Sequence, residues 1–272
     1  MNNKQCLHTH TTYGDGRDKP EDMLRTAIER GFDAIGFSEH SYNKHSRSSF
    51  IMTLEKTQEY VREIRALKEK YRGVIDVFCG LEYEFLSDHA TDAFDYLIGS
   101  VHYLDCNGTP RSFDGGLEST VEYVKEYFGG DGMAFAKRYF ETLATLPARG
   151  HFDIIGHFDL VSKNNDKAGF FDPHAKEYLQ AGYAAIHALR GKIPLFEVNT
   201  GAIARGYKQI PYPQPEFLRE LHACGFGAVI TSDCHDRTYL DCAFDDARAL
   251  LASVGYTSRF ILTDQGFTEV AL

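Results

Sequence analysis

Short apolar runs alternate with longer amphipathic stretches along most of the chain. The runs QCLHTH, AIGFSEH (34–40), IDVFCGLEYEF (75–85), DYLIGSVHYL (95–104), FDIIGHFDLV (152–161), LFEVNT (195–200) and AVITSDCH (228–235) lack proline and are rich in β-branched or aromatic residues. They are predicted strands. Between them helical spacing takes over: across 54–71, Leu54, Tyr60, Val61, Ile64, Leu67 and Tyr71 share one face, with Glu and Lys opposite. Further helices are predicted at 20–30, 118–128, from Phe135 to Leu143 after the break Gly129-Gly130-Asp131-Gly132, and at 174–190, 215–224 and 241–253. Gly31, Gly191 and Gly225 follow three of them, as left-handed C-terminal caps do. Strand then helix, repeated about seven times, means a parallel sheet. At 272 residues a single (β/α) barrel over 1–272 is the expected form, with an open doubly wound sheet as the structural alternative.

Composition narrows the partners. The net charge of −10 argues against nucleic acid, which wants a basic stripe. No apolar run is long enough to span a bilayer, and the start MNNKQCLHTH has no apolar secretion core, so no membrane partner is expected. The six cysteines include no C-x-x-C pair, and several sit inside apolar strands, which fits buried thiols in a reducing, cytoplasmic setting. Oligomeric state leaves no mark in the sequence.

The chemistry lies at the strand ends. His8 and His10 end the first run, His40 the second, and Glu82, His102 and His157 lie late in the third, fourth and fifth. Asp233 and His235 end the seventh, and Asp15 follows the first in a glycine-flanked loop. In a parallel barrel these ends converge on the C-terminal face, where active sites are built. A lone histidine is usually structural or on the surface, the bland reading given to His89, His174, His187 and His222. So many histidines and acids at strand ends need shared partners, and metal ions supply them. In His8-Thr9-His10 and Asp233-Cys234-His235 the i, i+2 spacing points both ligands one way and turns Cys234 towards packing. Nitrogen and carboxylate donors suit zinc, manganese or iron, and at about three protein ligands per ion the set can serve three ions.

The combination of His8-x-His10, Asp15, Ser38-Glu39-His40, Gly80-x-Glu82, Ser100-Val101-His102, Gly156-His157-x-Asp159-Leu160 and Ser232-Asp233-x-His235 resembles the PHP (polymerase and histidinol phosphatase) family. The resemblance runs from residue 6 to about 240. It implies a distorted (β/α)7 TIM-like barrel with three divalent metal ions. One would take His8, His10, Glu82 and Asp233, a second Asp15, His40 and His235, and a third Glu82, His102 and His157. Tyr127-Phe128-Gly129-Gly130-Asp131-Gly132, Asn199-Thr200-Gly201, Arg205 and Tyr212-Pro213 look like the stand-alone phosphatase branch. That branch implies a small phosphomonoester, L-histidinol phosphate, as the substrate. The expected nucleophile is a metal-bridging hydroxide, with Asp233, Glu82 and His235 as the catalytic group. Arg205, Lys163 and Asn199 are expected at the substrate, and Asp159 behind a ligand histidine. The alternatives are another phosphomonoester, phosphotyrosine included, and a non-catalytic metal-binding module.

Overall fold

The computed structural model describes residues 3–46 and 51–272. Seven parallel strands form one sheet: β1 (Gln5–Cys6), β2 (Ala34–Phe37), β3 (Asp76–Glu84), β4 (Tyr96–Ser100), β7 (Ile154–Ile155), β8 (Leu195–Asn199) and β9 (Gly227–Thr231), adjacent in that order. Two hairpins lie outside it: β5 (Tyr103–Cys106) with β6 (Thr109–Ser112), and β10 (Ser258–Thr263) with β11 (Gly266–Ala271). The helices are α1 (Pro20–Glu29), α2 (Leu54–Lys70), α3 (Leu117–Phe128), α4 (Gly132–Leu143), α5 (Asn165–Ala168), α6 (Lys176–Leu189), α7 (Gly201–Ala204), α8 (Pro215–Ala223) and α9 (Phe244–Ser253). Among the described residues no helix is long and apolar enough to cross a membrane.

The sheet is a nearly closed barrel. At one end Thr9 bridges Cys234 in parallel, with His10 N–H donating to the Cys234 carbonyl at 2.8 Å. At the other end the side-chain amide of Gln5 bonds both N–H and carbonyl of Leu262, so the β10–β11 hairpin fills the seam that β1 and β9 leave open. Neither hairpin was predicted. The run 95–104 was expected to be one strand. Its chain leaves the barrel after Ser100 because both the N–H and the ring of His102 bond Glu84.

The helix pattern was legible. Gly31, Gly191 and Gly225 have φ of +69°, +71° and +81°, the left-handed geometry expected of caps. Between α3 and α4 the chain turns through Gly129 and Gly130 into Asp131, whose carboxylate accepts from Ala134 N–H at 2.9 Å.

Two apolar clusters hold the molecule. The larger lies between barrel and helices; the smaller fills the barrel and includes Leu7, Phe78, Tyr96, Ile98, Ile154, Leu195 and Val229. Tyr96 is the central piece, its hydroxyl donating to the carbonyls of Leu7 and Phe37. Its ring occupies the space that Gly36 and Gly80 leave empty, where a Cβ on either would collide with it. Gly80→Ala should therefore destabilise the fold by about 1–3 kcal/mol through overpacking, although alanine is otherwise the better strand residue. Urea unfolding measures this, and an unchanged or raised midpoint would contradict the account.

Candidate metal centre

The strand ends deliver their polar side chains to one mouth. His8 and His10 are fully buried, with ring centroids 5.1 Å apart on the same side of the strand, while Thr9 between them turns back to the Gly36 carbonyl. Cys234 points away as expected, its thiol on the Asp236 carbonyl. Asp233 has φ +46°, a backbone state uncommon outside glycine and typical of strain kept at functional sites.

Donor atoms gather in three sets with the spacing of divalent-metal ligands. In the first, His8 Nε2 and His10 Nε2 lie 3.7 and 3.3 Å from Asp233 Oδ1. In the second, His235, His40 and His10 stand 3.2, 3.6 and 3.8 Å from Asp15 Oδ1. The third centres on Glu82, 2.7 Å from His40 Nδ1, 2.9 Å from His157 Nε2 and 3.3 Å from His102 Nε2. All nine expected ligands therefore meet. His10 and His40 each stand in two sets rather than one, and Glu82 lies between the first and third, 3.5 Å from His8 Nε2.

The protonation pattern fits cations. His8 Nδ1 donates to Glu197 at 2.8 Å and His102 Nδ1 to Glu84 at 2.9 Å, whereas His235 Nδ1 accepts from the Arg205 guanidinium at 2.9 Å. With Nδ1–H spent, His8 and His102 each turn an Nε2 lone pair into the mouth, the usual arrangement of a metal-bound histidine. His8 Nε2, both ring nitrogens of His10, Asp15 Oδ1 and Glu82 Oε2 are buried and lack a hydrogen-bond partner among the described residues. Leaving so many polar atoms orphaned is costly, and shared cations relieve it. Burial would push the Glu82 carboxyl up, but His40, His102 and His8 in their protonated forms hold it well below the usual carboxylate range, supplying the positive charge that cations at the mouth would supply in their place. Burial likewise opposes ionisation of Asp233, and Arg205 and His8 outweigh it. Both carboxylates are in the form a metal needs.

The positioning residues Glu84 and Glu197 escaped the sequence analysis. Glu84 follows Glu82 by two residues on β3 and so shares its face. Glu197 is wholly buried on β8 and accepts from His8, His157 N–H, Asn199 and Thr231. The signal was there: an acid in the middle of the apolar run LFEVNT.

The three residues expected at the substrate lie in different settings. Arg205 reaches the mouth, its side chain 31% exposed, and donates to Asp233 Oδ2 at 2.8 Å and to the Asp233 carbonyl at 3.0 Å. Lys163 is held by Asp114 at 2.6 Å, close to the Tyr207 ring. Asn199 lies two residues beyond Glu197 on the same face of β8, fully buried, with its amide spent on Glu197 and on Gly201 N–H, so no group of it is free for a substrate. Asp159 bonds the Gln214 N–H rather than a ligand imidazole, and burial raises its carboxyl to about 6. The hairpin β5–β6 and the loop after it bring Tyr103, Ser112 and Asp114 to the mouth, beside His40 and His102.

A nearly closed parallel barrel with a histidine- and carboxylate-lined mouth defines a class of metal-centred hydrolase folds. Residues 7–200 match the PHP domain, and the chain belongs to that family. It is 29% identical over 260 residues to a Deinococcus radiodurans protein named "Probable histidinol-phosphatase", covering 91% of this chain and 92% of that one. A Schizosaccharomyces pombe protein of the same name is 27% identical over 278 residues, with 93% and 84% covered. Among solved structures, histidinol phosphate phosphatase from Lactococcus lactis, complexed with zinc, L-histidinol and phosphate, superposes with a TM-score of 0.70. That match has 18% identity and covers 98% of this chain and 99% of that one.

Proposed function

We propose that this protein is a histidinol-phosphate phosphatase, hydrolysing L-histidinol phosphate to L-histidinol and phosphate in histidine biosynthesis, with 1–272 acting as one catalytic domain. The observation that carries the reading is the convergence of His8, His10, His40, His102 and His235 on Glu82, Asp15 and Asp233, with the Nε2 atoms of His8 and His102 fixed inward by acceptors on Nδ1. Supporting it are the names of the relatives and the ligands of the Lactococcus structure.

The donors suit three divalent ions of the zinc, manganese or iron kind: His8, His10, Glu82 and Asp233; Asp15, His40 and His235; Glu82, His102 and His157. Bound there, such ions lower the pKa of water and draw charge from phosphoryl oxygens. The chain's own residues do the rest. Arg205, aimed by Asp233, offers a guanidinium to the phosphate at the exposed rim. Asp233, held ionised by Arg205 and His8, would serve as a metal donor through Oδ1 while its Oδ2 anchors Arg205. Glu197 and Glu84 keep His8 and His102 in the working tautomer.

Arg205→Ala should raise KM for L-histidinol phosphate about tenfold or more with metal retained, and Arg205→Lys should recover only part of this, lacking the planar fork. Unchanged steady-state kinetics would remove Arg205 from the substrate site. The identity of the substrate is tested by phosphate release from L-histidinol phosphate against a panel of unrelated phosphomonoesters, phosphotyrosine included. A preference of about a hundredfold or more in kcat/KM, ~2.7 kcal/mol, is expected. A flat profile would leave a phosphatase of another substrate.

A further inference from the structure

A fourth set of donors converges away from the mouth, on the outer helical layer. His187 lies in the last turn of α6, and Glu220 and Cys224 lie one turn apart at the end of α8. These helices return from the adjacent parallel strands β7 and β8 and pack on each other, so their C-terminal ends lie side by side. His187 Nε2 is 2.7 Å from Glu220 Oε1, and Cys224 Sγ is 3.7 Å from the same oxygen. One donor atom from each of the three residues fits within 4.8 Å. A tetrahedral zinc ion, with bonds of about 2.0 Å to nitrogen or oxygen and about 2.3 Å to sulfur, spaces its ligand atoms by about 3.2–3.8 Å. Small side-chain rotations reach that geometry.

A surface His–Glu pair alone would be worth about 0–1 kcal/mol and would need no thiol. Here the thiol adds a third donor of a different chemical kind, aimed at the same carboxylate oxygen. Burial and Glu220 both push the Cys224 thiol up, with Arg190 pulling the other way, so beside this carboxylate the sulfur stays protonated by itself. A coordinated metal reverses that balance, because it deprotonates a thiol outright. Two helix C-termini also place partial negative charge at the same spot, which favours a cation.

We propose that His187, Glu220 and Cys224 form a second, sulfur-containing site for a divalent ion of the zinc class, separate from the mouth, which clasps the end of α6 to the end of α8. The His187 side chain is 60% exposed, so the fourth coordination position opens to solvent. The site departs from the mouth in one decisive respect: the mouth offers nitrogen and oxygen donors, and this one offers sulfur.

Cobalt substitution reads that difference directly. The full-length protein loaded with cobalt(II) should show near-ultraviolet thiolate-to-cobalt charge-transfer absorption and bind one ion per chain beyond those of the mouth. Cys224→Ser should abolish the band and release that ion while phosphate release stays within about twofold. Glu220→Gln should weaken cobalt binding at this site by about tenfold or more with an unchanged circular-dichroism spectrum. A cobalt-loaded protein without the band, or a band that persists in Cys224→Ser, would overturn the proposal.

Discussion

Asp233→Ala should lose about a thousandfold or more in kcat/KM, ~4 kcal/mol of transition-state stabilisation, and lose bound metal with it. Its Oδ1 stands 3.3 Å from His10, 3.5 Å from His235 and 3.7 Å from His8, and its Oδ2 holds Arg205 at 2.8 Å. One substitution thus removes both a metal donor and the anchor of the phosphate-binding arginine. The fold should survive, because the side chain closes no part of the apolar core. A modest stability loss of about 1 kcal/mol is expected, since alanine tolerates the φ of +46° less well than aspartate does. His10→Ala belongs to the same class, as neither ring nitrogen has another hydrogen-bond partner among the described residues. Steady-state kinetics with metal analysis on folded protein decides the matter, and full activity in Asp233→Ala would sink its assignment.

The second large effect is expected at Glu197, which touches no substrate. Glu197→Ala leaves His8 Nδ1, His157 N–H, the Asn199 amide and the Thr231 hydroxyl without their acceptor inside the sheet. At about 1–3 kcal/mol for each buried orphan, with partial relaxation, a loss of about 3–5 kcal/mol is expected. Glu197→Gln separates folding from function. It keeps the shape and one acceptor, but an amide –NH2 turned to His8 meets a donor with a donor and frees the ring to flip. Metal affinity should then fall about 10–100-fold while urea unfolding shifts much less. Wild-type metal affinity in Glu197→Gln would show that His8 does not depend on this carboxylate.

The parts of the fold that obey local periodicity could be read from the chain. The apolar runs became β2, β3, β4, β8 and β9, strands of four to nine residues, and the amphipathic stretches became helices within a few residues of their predicted bounds. The convergence of the candidate ligands was readable for a geometric reason: a parallel barrel sends every strand end to one face, so position along the strand stands in for position in space. What stayed hidden depends on contacts between distant segments. The two hairpins lie outside the βα repeat, and Gln5 recruits the second of them through a side chain. Glu197 resembled one more strand residue until the sheet placed it 2.8 Å from His8. His187, given the bland surface reading, acquired Glu220 and Cys224 only when α6 packed on α8. Asn199 is a related case: its strand-end position was legible, but that Glu197 and Gly201 take up its amide depends on the folded sheet.

The most direct test of the central claim is phosphate release from L-histidinol phosphate by chelator-stripped protein, reloaded stepwise with zinc or manganese while bound metal is counted. The account predicts negligible turnover in the stripped protein and recovery that follows filling of the mouth, with Asp233→Ala remaining inactive at every loading. Full turnover by protein stripped of metal would contradict it.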